Sequence, residues 1–555
     1  MMARQLFQSI TGREWRFVFL LSAFVAIITV IPLVYGHVVT PRDFNFTATH
    51  FTAPNDWFVY YAYIEQVRQG HWLLYDLFTA ESHQAVFNPL WLGVGLLARI
   101  TGLSAPIALN LVRVVLIPIF YVVAYLWIAL LFKVLLIRRL ALVMLSFASG
   151  LGAFLFDRII RYPFNFDGAQ FNWPMDLWVP EHNTFLTLYY SPHFVASLIF
   201  ILISFLATVL FAQTSAFRYS FVAGISALVL FSFHPFHVPT VFGVTAMFVI
   251  GVMFIRRQWS WSLVSHAGIV GALSAPAILY YTYLLSVDQV TQQKALQNLT
   301  WTTPLWLTVV SYGLLLPLAF IGARAMAKQG TFVEKNLSLP WVFVLIWTVV
   351  QSILIYVPVD FQRRMTEGLH VPLIFLSTVG IVWCVARAKH GTTGVWRAIH
   401  QWRYTAAVGL GALLISSNVF QIAADLFIYH DKRELAYIST DIVDAGRWLR
   451  TVPSNVVVFN SASNIVNVVP ALSGRRVYVG HGVETPGFEI KDREVTWFLG
   501  TNRALSGEEK FLHDRGITYI FFGPIERALG TYDPTSKPYL LEVYKNQTVR
   551  IYKVL

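Results

Sequence analysis

Runs of about 20 apolar residues with almost no charge recur from Arg16 to Ile428, and each is long enough to cross a bilayer as a helix. Within hydrocarbon every backbone N–H and C=O needs an internal partner, so runs of this kind fold as helices. Charged residues are only 13% of the 555, hydrophobic ones 56%, and mean hydropathy is +0.58. A soluble domain carries about 25% charged residues. The chain is thus expected to be a polytopic α-helical membrane protein. Its net charge of +12 does not point to nucleic acid, because Lys and Arg gather in short loops between apolar runs. The single cysteine, Cys384, lies in an apolar run and excludes an internal disulfide or a cysteine-based metal site.

Loop charge orders the spans. Arg4, Arg13 and Arg16 precede the first run and put the N-terminus in the cytoplasm. That run ends in Ile31-Pro32-Leu33-Val34-Tyr35, without a small-residue cleavage site, and reads as a retained span. Further spans are expected at 107–131, 140–156, 191–211, in a hairpin with its tip at 234–239, at 261–285, before Arg324, and at 340–357, 371–386 and 404–428. This makes about eleven transmembrane helices within 1–430, with a long first outer loop at 36–89. Asn88-Pro89-Leu90-Trp91 opens an apolar helix too short to cross. Counting it as a span would put Lys133, Arg138 and Arg139 outside, against the charge bias.

After Asp431 charges become frequent. Helical periodicity at 436–449 and 508–515 alternates with apolar strand-like runs at 455–459, 476–479 and 517–522, and 539–555 reads as an edge hairpin. Residues 431–555 are therefore expected to form a small extracytoplasmic α/β domain.

The outer loops hold the polar residues that could carry chemistry. Asp56 heads an aromatic helix in the first loop, suited to a general base, with Asn55 or Asp56 as the helix N-cap. Asp43 competes for that role, although a wet ion pair with Arg42 would explain it too. Glu181 and His182 follow Trp173 and Trp178, which could present a sugar-stacking surface or an interfacial belt. Asp167 and Asp176 share that loop, and His193 opens the next span. His234 and His237 have metal-compatible spacing, but no carboxylate lies beside them in sequence, so they read as hydrogen-bonded histidines at a buried turn. No metal ligand set is assigned, and a divalent metal is left open as a cofactor. Arg363 and Arg364 break the inside-positive bias, and a guanidinium fork matches a phosphate. Gly480-His481-Gly482-Val483-Glu484-Thr485 follows a strand, where α/β sites often form.

The motif order resembles the GT-C glycosyltransferases, polytopic enzymes that use polyprenyl-phosphate sugars. It comprises an Asp-headed aromatic helix after span 1, Gly70-His71-Trp72, Asn88-Pro89-Leu90-Trp91, Pro180-Glu181-His182-Asn183, Ser191-Pro192-His193-Phe194, Phe361-Gln362-Arg363-Arg364 and Ser473-Gly474-Arg475-Arg476. Asp43 and Glu181 are further catalytic candidates, and Arg363, Arg364, His182, His193, His234 and His237 are candidate substrate contacts, all from residue chemistry and position; the resemblance itself places Asp56 at the family's first-loop acidic residue. It implies a polyprenyl-phosphate sugar donor, a lipid, glycan or protein acceptor, membrane lipids as surroundings, and a bacterial plasma (inner) membrane location. Many members carry Asp-Glu in the first loop; here the pair is Asp56-Trp57, so no role for an adjacent second carboxylate follows. A lipid or polysaccharide flippase would need ionisable residues within the spans, where Arg113 and His266 are the exceptions. A non-catalytic membrane scaffold is the third reading.

Overall fold

The apolar runs fold as helices. The computed structural model describes residues 2–157, 172–329, 331, 338–390, 394–433, 435–462, 467–501 and 505–555. Among these, eight helices are long and apolar enough to cross a membrane: Gly12–Val38, Ala105–Leu131, Leu135–Leu155, Pro192–Thr214, Pro235–Arg256, Trp261–Val287, Gln362–Lys389 and Arg403–His430. A ninth crossing arises if Leu305–Tyr312 and Leu315–Lys328, bent by 76° at their break, act together. The two remaining expected spans are the apolar helices Arg218–Phe233 and Leu339–Leu354. Each has 16 residues, roughly 24 Å of helix against a hydrocarbon core of about 30 Å. The chain is a multi-pass membrane protein; among the described residues eight helices, or nine with the bent pair, are long and apolar enough to cross, against about eleven expected. Pro89–Thr101 is the expected short helix, with the Asn88 side chain accepting from Trp91 N at 3.2 Å. Asp167 lies outside the described residues.

Contacts divide the chain into two compact units. The first comprises Met1–Ile31, Leu111–Tyr281 and Leu299–Ala424. Its first long helix begins in a capping box, with Thr11 N donating to Glu14 Oε2 at 2.9 Å and Glu14 N to Thr11 Oγ1 at 3.3 Å. Trp127, Phe205, Phe343 and Trp347 pack as one aromatic cluster in its core. Two helices approach to backbone contact where Gly322 faces Gly380: a Cβ at either would sit 2.0 or 2.1 Å from a carbonyl oxygen of the partner helix. The two ionisable exceptions within spans are used for packing. Arg113 is fully buried and donates to Leu188 O at 2.8 Å, and His266 lies between Ser220 Oγ at 2.9 Å and Thr208 Oγ1 at 3.1 Å.

The second unit comprises Pro32–Asn110, Thr282–Asn298 and Asp425–Leu555. Strand β1 (Phe44–Phe46) of the first outer loop pairs antiparallel with β2 (Tyr437–Ser439). The C-terminal segment adds β3 (Val457–Phe459), β4 (Arg476–Val477), β5 (Tyr519–Phe522), β6 (Leu540–Lys545) and β7 (Arg550–Val554) in one sheet of order β4-β3-β5-β7-β6. The β4, β3 and β5 strands are parallel, and the β6–β7 hairpin closes one edge antiparallel. Strands β3 and β5 are buried along their whole length, which is why they read as unbroken apolar runs.

Candidate functional site

In the second unit, the helix Pro54–Arg68 carries Asp56. The chain enters it through Ala53 at φ 45°, in the left-handed region, and Pro54 supplies the first helical residue. The N-cap is Ala53, and neither Asn55 nor Asp56 caps: both sit in the first turn, where the exposed helix N–H groups favour an anion. Asp43 and Ala48 are also at positive φ, so this loop holds three non-glycine residues in a costly conformation. The loop is fixed by His50, whose Nδ1 lies 2.5 Å from Asp425 Oδ2 with both side chains fully buried, and by Phe51 N donating to Asp425 Oδ1 at 2.6 Å. Asp43 is exposed, and no ion pair joins it to Arg42 among the described residues.

Among the described residues, Asp56 has one ionisable side-chain partner. Its Oδ1 lies 3.5 Å from Nε2 of His481, which is buried, while Asp56 itself is 44% exposed. The histidine's tautomer follows from its other nitrogen. Nδ1 accepts from Val483 N at 3.2 Å and from Glu484 N at 3.3 Å, so in the neutral ring the proton sits on Nε2 and faces the carboxylate. The turn holding His481 is braced on several sides. Thr485 Oγ1 accepts from Gly480 N at 3.0 Å and His481 N at 3.1 Å and donates to Phe78 O at 2.6 Å. Gln297 Nε2 donates to Val483 O at 2.6 Å and Thr485 O at 2.9 Å. Gly480 is required by closeness, since a Cβ there would lie 2.6 Å from the Phe78 ring. Lys294 bridges Glu484 and Asp76, the latter at 2.7 Å. Burial opposes its charge, but the two carboxylates outweigh that and hold its pKa well above the ordinary lysine value. At the far end of the Pro54–Arg68 helix, buried Glu65 pairs with Arg68 at 2.8 Å and Arg450 at 3.0 Å.

The first unit collects the other expected residues. Its arginine loop is pinned by Thr300 N donating to Asp360 O at 2.7 Å and Arg363 N donating to Thr300 O at 2.9 Å. Arg364 pairs with Glu181 at 3.3 Å, rather than with Asp360 or Glu367, and lies over the Phe236 ring at 5.0 Å. The Arg363 guanidinium covers a face of Trp178 at 4.4 Å, and Trp173 is buried, so these tryptophans are largely occupied by protein. His182 is buried, packs on Tyr312 at 4.2 Å, and has no hydrogen bond at either ring nitrogen among the described residues. Burial, and then His370, push its pKa well below the ordinary value, so it is neutral. His193 Nδ1 lies 2.9 Å from Ser191 Oγ.

His234 caps and His237 ends the short 3₁₀ turn Pro235–His237, in which residues three apart eclipse. Both face Glu367, a carboxylate that sequence reading did not connect to them. His237 Nε2 lies 2.8 Å and His234 Nδ1 3.7 Å from Glu367 Oε2, and the two nitrogens are 3.1 Å apart. Gln351 Nε2 fixes this segment by donating to Met365 O at 2.7 Å and Glu367 O at 2.6 Å.

No protein-family profile matches the chain, and no curated protein does either. Solved structures do. The apo oligosaccharyltransferase of Archaeoglobus fulgidus aligns with TM-score 0.51 and 13% identity over 91% of this chain and 69% of that one. The same protein tethered to an acceptor peptide gives 0.50 and 12%, with the same coverage. Mycobacterial arabinofuranosyltransferase AftD gives 0.53 and 12% over 97% of this chain, which spans only 40% of that protein's length. The chain shares its fold with these oligosaccharyltransferase and arabinofuranosyltransferase structures.

Proposed function

We propose that this chain is an integral-membrane glycosyltransferase. It moves a sugar from a polyprenyl-phosphate donor to a lipid, glycan or protein acceptor at the outer face of the plasma membrane. Asp56 is the general base: its carboxylate takes the acceptor hydroxyl proton as the oxygen attacks the anomeric carbon. The bond to the lipid phosphate breaks, and its electron pair leaves with the phosphate. One base acting this way gives inversion at the sugar carbon. The observation that carries this reading is Asp56 in the first helical turn, solvent-accessible, with His481 Nε2 at 3.5 Å. That spacing is longer than a hydrogen bond, as catalytic contacts often are before substrate binds. The imidazole N–H orients one carboxylate oxygen and leaves the other for the acceptor. Arg363 and Arg364 are assigned to the lipid phosphate, whose developing charge a guanidinium stabilises. Asp43, exposed and without a buried partner of this kind among the described residues, is given no role. Glu181 is read as the counter-ion that holds Arg364.

The test is release of polyprenyl phosphate by purified protein given candidate lipid-linked sugars and acceptors. Asp56→Asn keeps shape and removes the base, and turnover should fall at least about 100-fold. Near-normal transfer by well-expressed Asp56→Asn protein would sink the assignment.

A further inference from the structure

We infer that His234, His237 and Glu367 form a binding site for one divalent transition-metal ion of the zinc type. The inference concerns the first unit alone and holds whether or not the chain transfers sugars. Three donor atoms converge: His234 Nδ1, His237 Nε2 and a Glu367 oxygen, all within 4.8 Å of one another. Tetrahedral zinc with ligands at 2.0–2.1 Å separates its donors by roughly 3.3 Å. The separations of 3.1, 2.8 and 3.7 Å bracket that value.

Charge supports the same reading. Glu367 is fully buried, and its Oε1 has no hydrogen-bond partner among the described residues. A carboxylate in that setting stays ionised only beside a cation and is otherwise protonated. The charged groups acting on it are the Glu181 carboxylate and the Arg364 guanidinium, and Arg364 is already paired with Glu181. A divalent ion balances the second carboxylate. The donors are also held before any ion arrives. The 3₁₀ turn aligns the histidines, and Gln351, itself accepting from Trp347 Nε1 at 2.5 Å, fixes the Glu367 backbone. His234 Nδ1 also lies 2.8 Å from Ser197 Oγ, but that hydroxyl has its own acceptor in His193 O at 2.8 Å. The Nδ1 lone pair can therefore go to a metal, with the ring proton on Nε2.

The donor set selects the ion. Two imidazoles and one carboxylate suit zinc or cobalt, whereas magnesium and calcium prefer all-oxygen shells. Three protein donors leave one tetrahedral position for water or a substrate oxygen.

Full-length protein in detergent, stripped with a chelator, would be titrated with Co²⁺ alone, with Zn²⁺ as competitor and Mg²⁺ as comparison. One equivalent of Co²⁺ should give the visible absorption of a tetrahedral site, displaced by Zn²⁺ and indifferent to Mg²⁺. His237→Ala and the near-isosteric Glu367→Gln should weaken binding by more than the roughly 10–100-fold typical of outer-shell changes. His266→Gln, at a histidine elsewhere in the same unit, should bind as wild type does. Zn²⁺ should raise the melting temperature of wild-type protein and not that of Glu367→Gln. Wild-type protein taking up less than one equivalent overturns the site, as does equal binding by Glu367→Gln or a preference for Mg²⁺.

Discussion

Asp176 makes a sharp test of how this fold handles a buried acid. It lies in the short turn Met175–Leu177 with no exposed surface. Its Oδ2 accepts from Ser417 Oγ at 2.6 Å and from Gly152 N at 2.9 Å, while Oδ1 has no partner among the described residues. Burial outweighs the hydrogen bonds and pushes its pKa from 3.8 up to about 7. Below pH 4 the group is neutral both folded and unfolded. Between pH 4 and 7 it ionises only in the unfolded chain, so stability falls as pH rises and levels off above about 7. The gap is worth about 4 kcal/mol. In Asp176→Asn that penalty disappears, but an amide nitrogen at the Oδ1 position leaves an unmet donor costing about 1–3 kcal/mol. The variant should therefore be less stable than wild type at pH 4 and more stable by about 1–3 kcal/mol at pH 8. Thermal unfolding in detergent, followed by tryptophan fluorescence from pH 4 to 9, gives the difference between the two proteins and cancels every other titrating group. A difference independent of pH, or one in which wild type gains on the variant as pH rises, would refute the reasoning.

His481→Ala should lower turnover roughly 10–100-fold with little change in KM, because it removes the orienting group and not the base; steady-state kinetics on a lipid-linked sugar would show it. Gly480→Ala forces a Cβ to within 2.6 Å of Phe78, and displacing that turn should cost about 1–3 kcal/mol of stability together with activity, read by thermal melting and turnover. Lys294→Met leaves Asp76 and Glu484 facing each other without their cation. It should destabilise by about 2 kcal/mol, less than a fully buried pair would, because the lysine is 22% exposed; denaturation midpoints would measure it.

Much of the architecture was legible in the sequence. Long apolar runs have few alternatives in a bilayer, so the positions of the spans followed from length and loop charge. The β3 and β5 strands and the β6–β7 hairpin announced themselves by apolar runs and a terminal turn. The short apolar helices Arg218–Phe233 and Leu339–Leu354 were less plain, since hydropathy does not mark where a helix stops. Pairing across long separations was not legible at all. Glu367 lies three residues from Arg364 in sequence, yet its carboxylate meets His237, and Arg364 meets Glu181. His481 carried only the weak signal of a glycine-flanked turn after a strand, and nothing local tied it to Asp56. Ala53 capping in place of Asn55 was likewise hidden, because the left-handed conformation of an alanine is imposed by tertiary contacts and not by its own preference.

The β1–β2 pairing has a consequence for biogenesis. Asn45 Nδ2 donates to Thr440 Oγ1 across 395 residues of sequence, and the Asp56–His481 contact spans a longer stretch still. At translation speeds of about 5–20 residues per second, the first loop emerges roughly 20–80 s before the strand that completes it. During that interval Asp56 is already made and His481 is not. The candidate base stays unassembled while the intervening segments enter the membrane, and it gains its partner only once the C-terminal segment has folded.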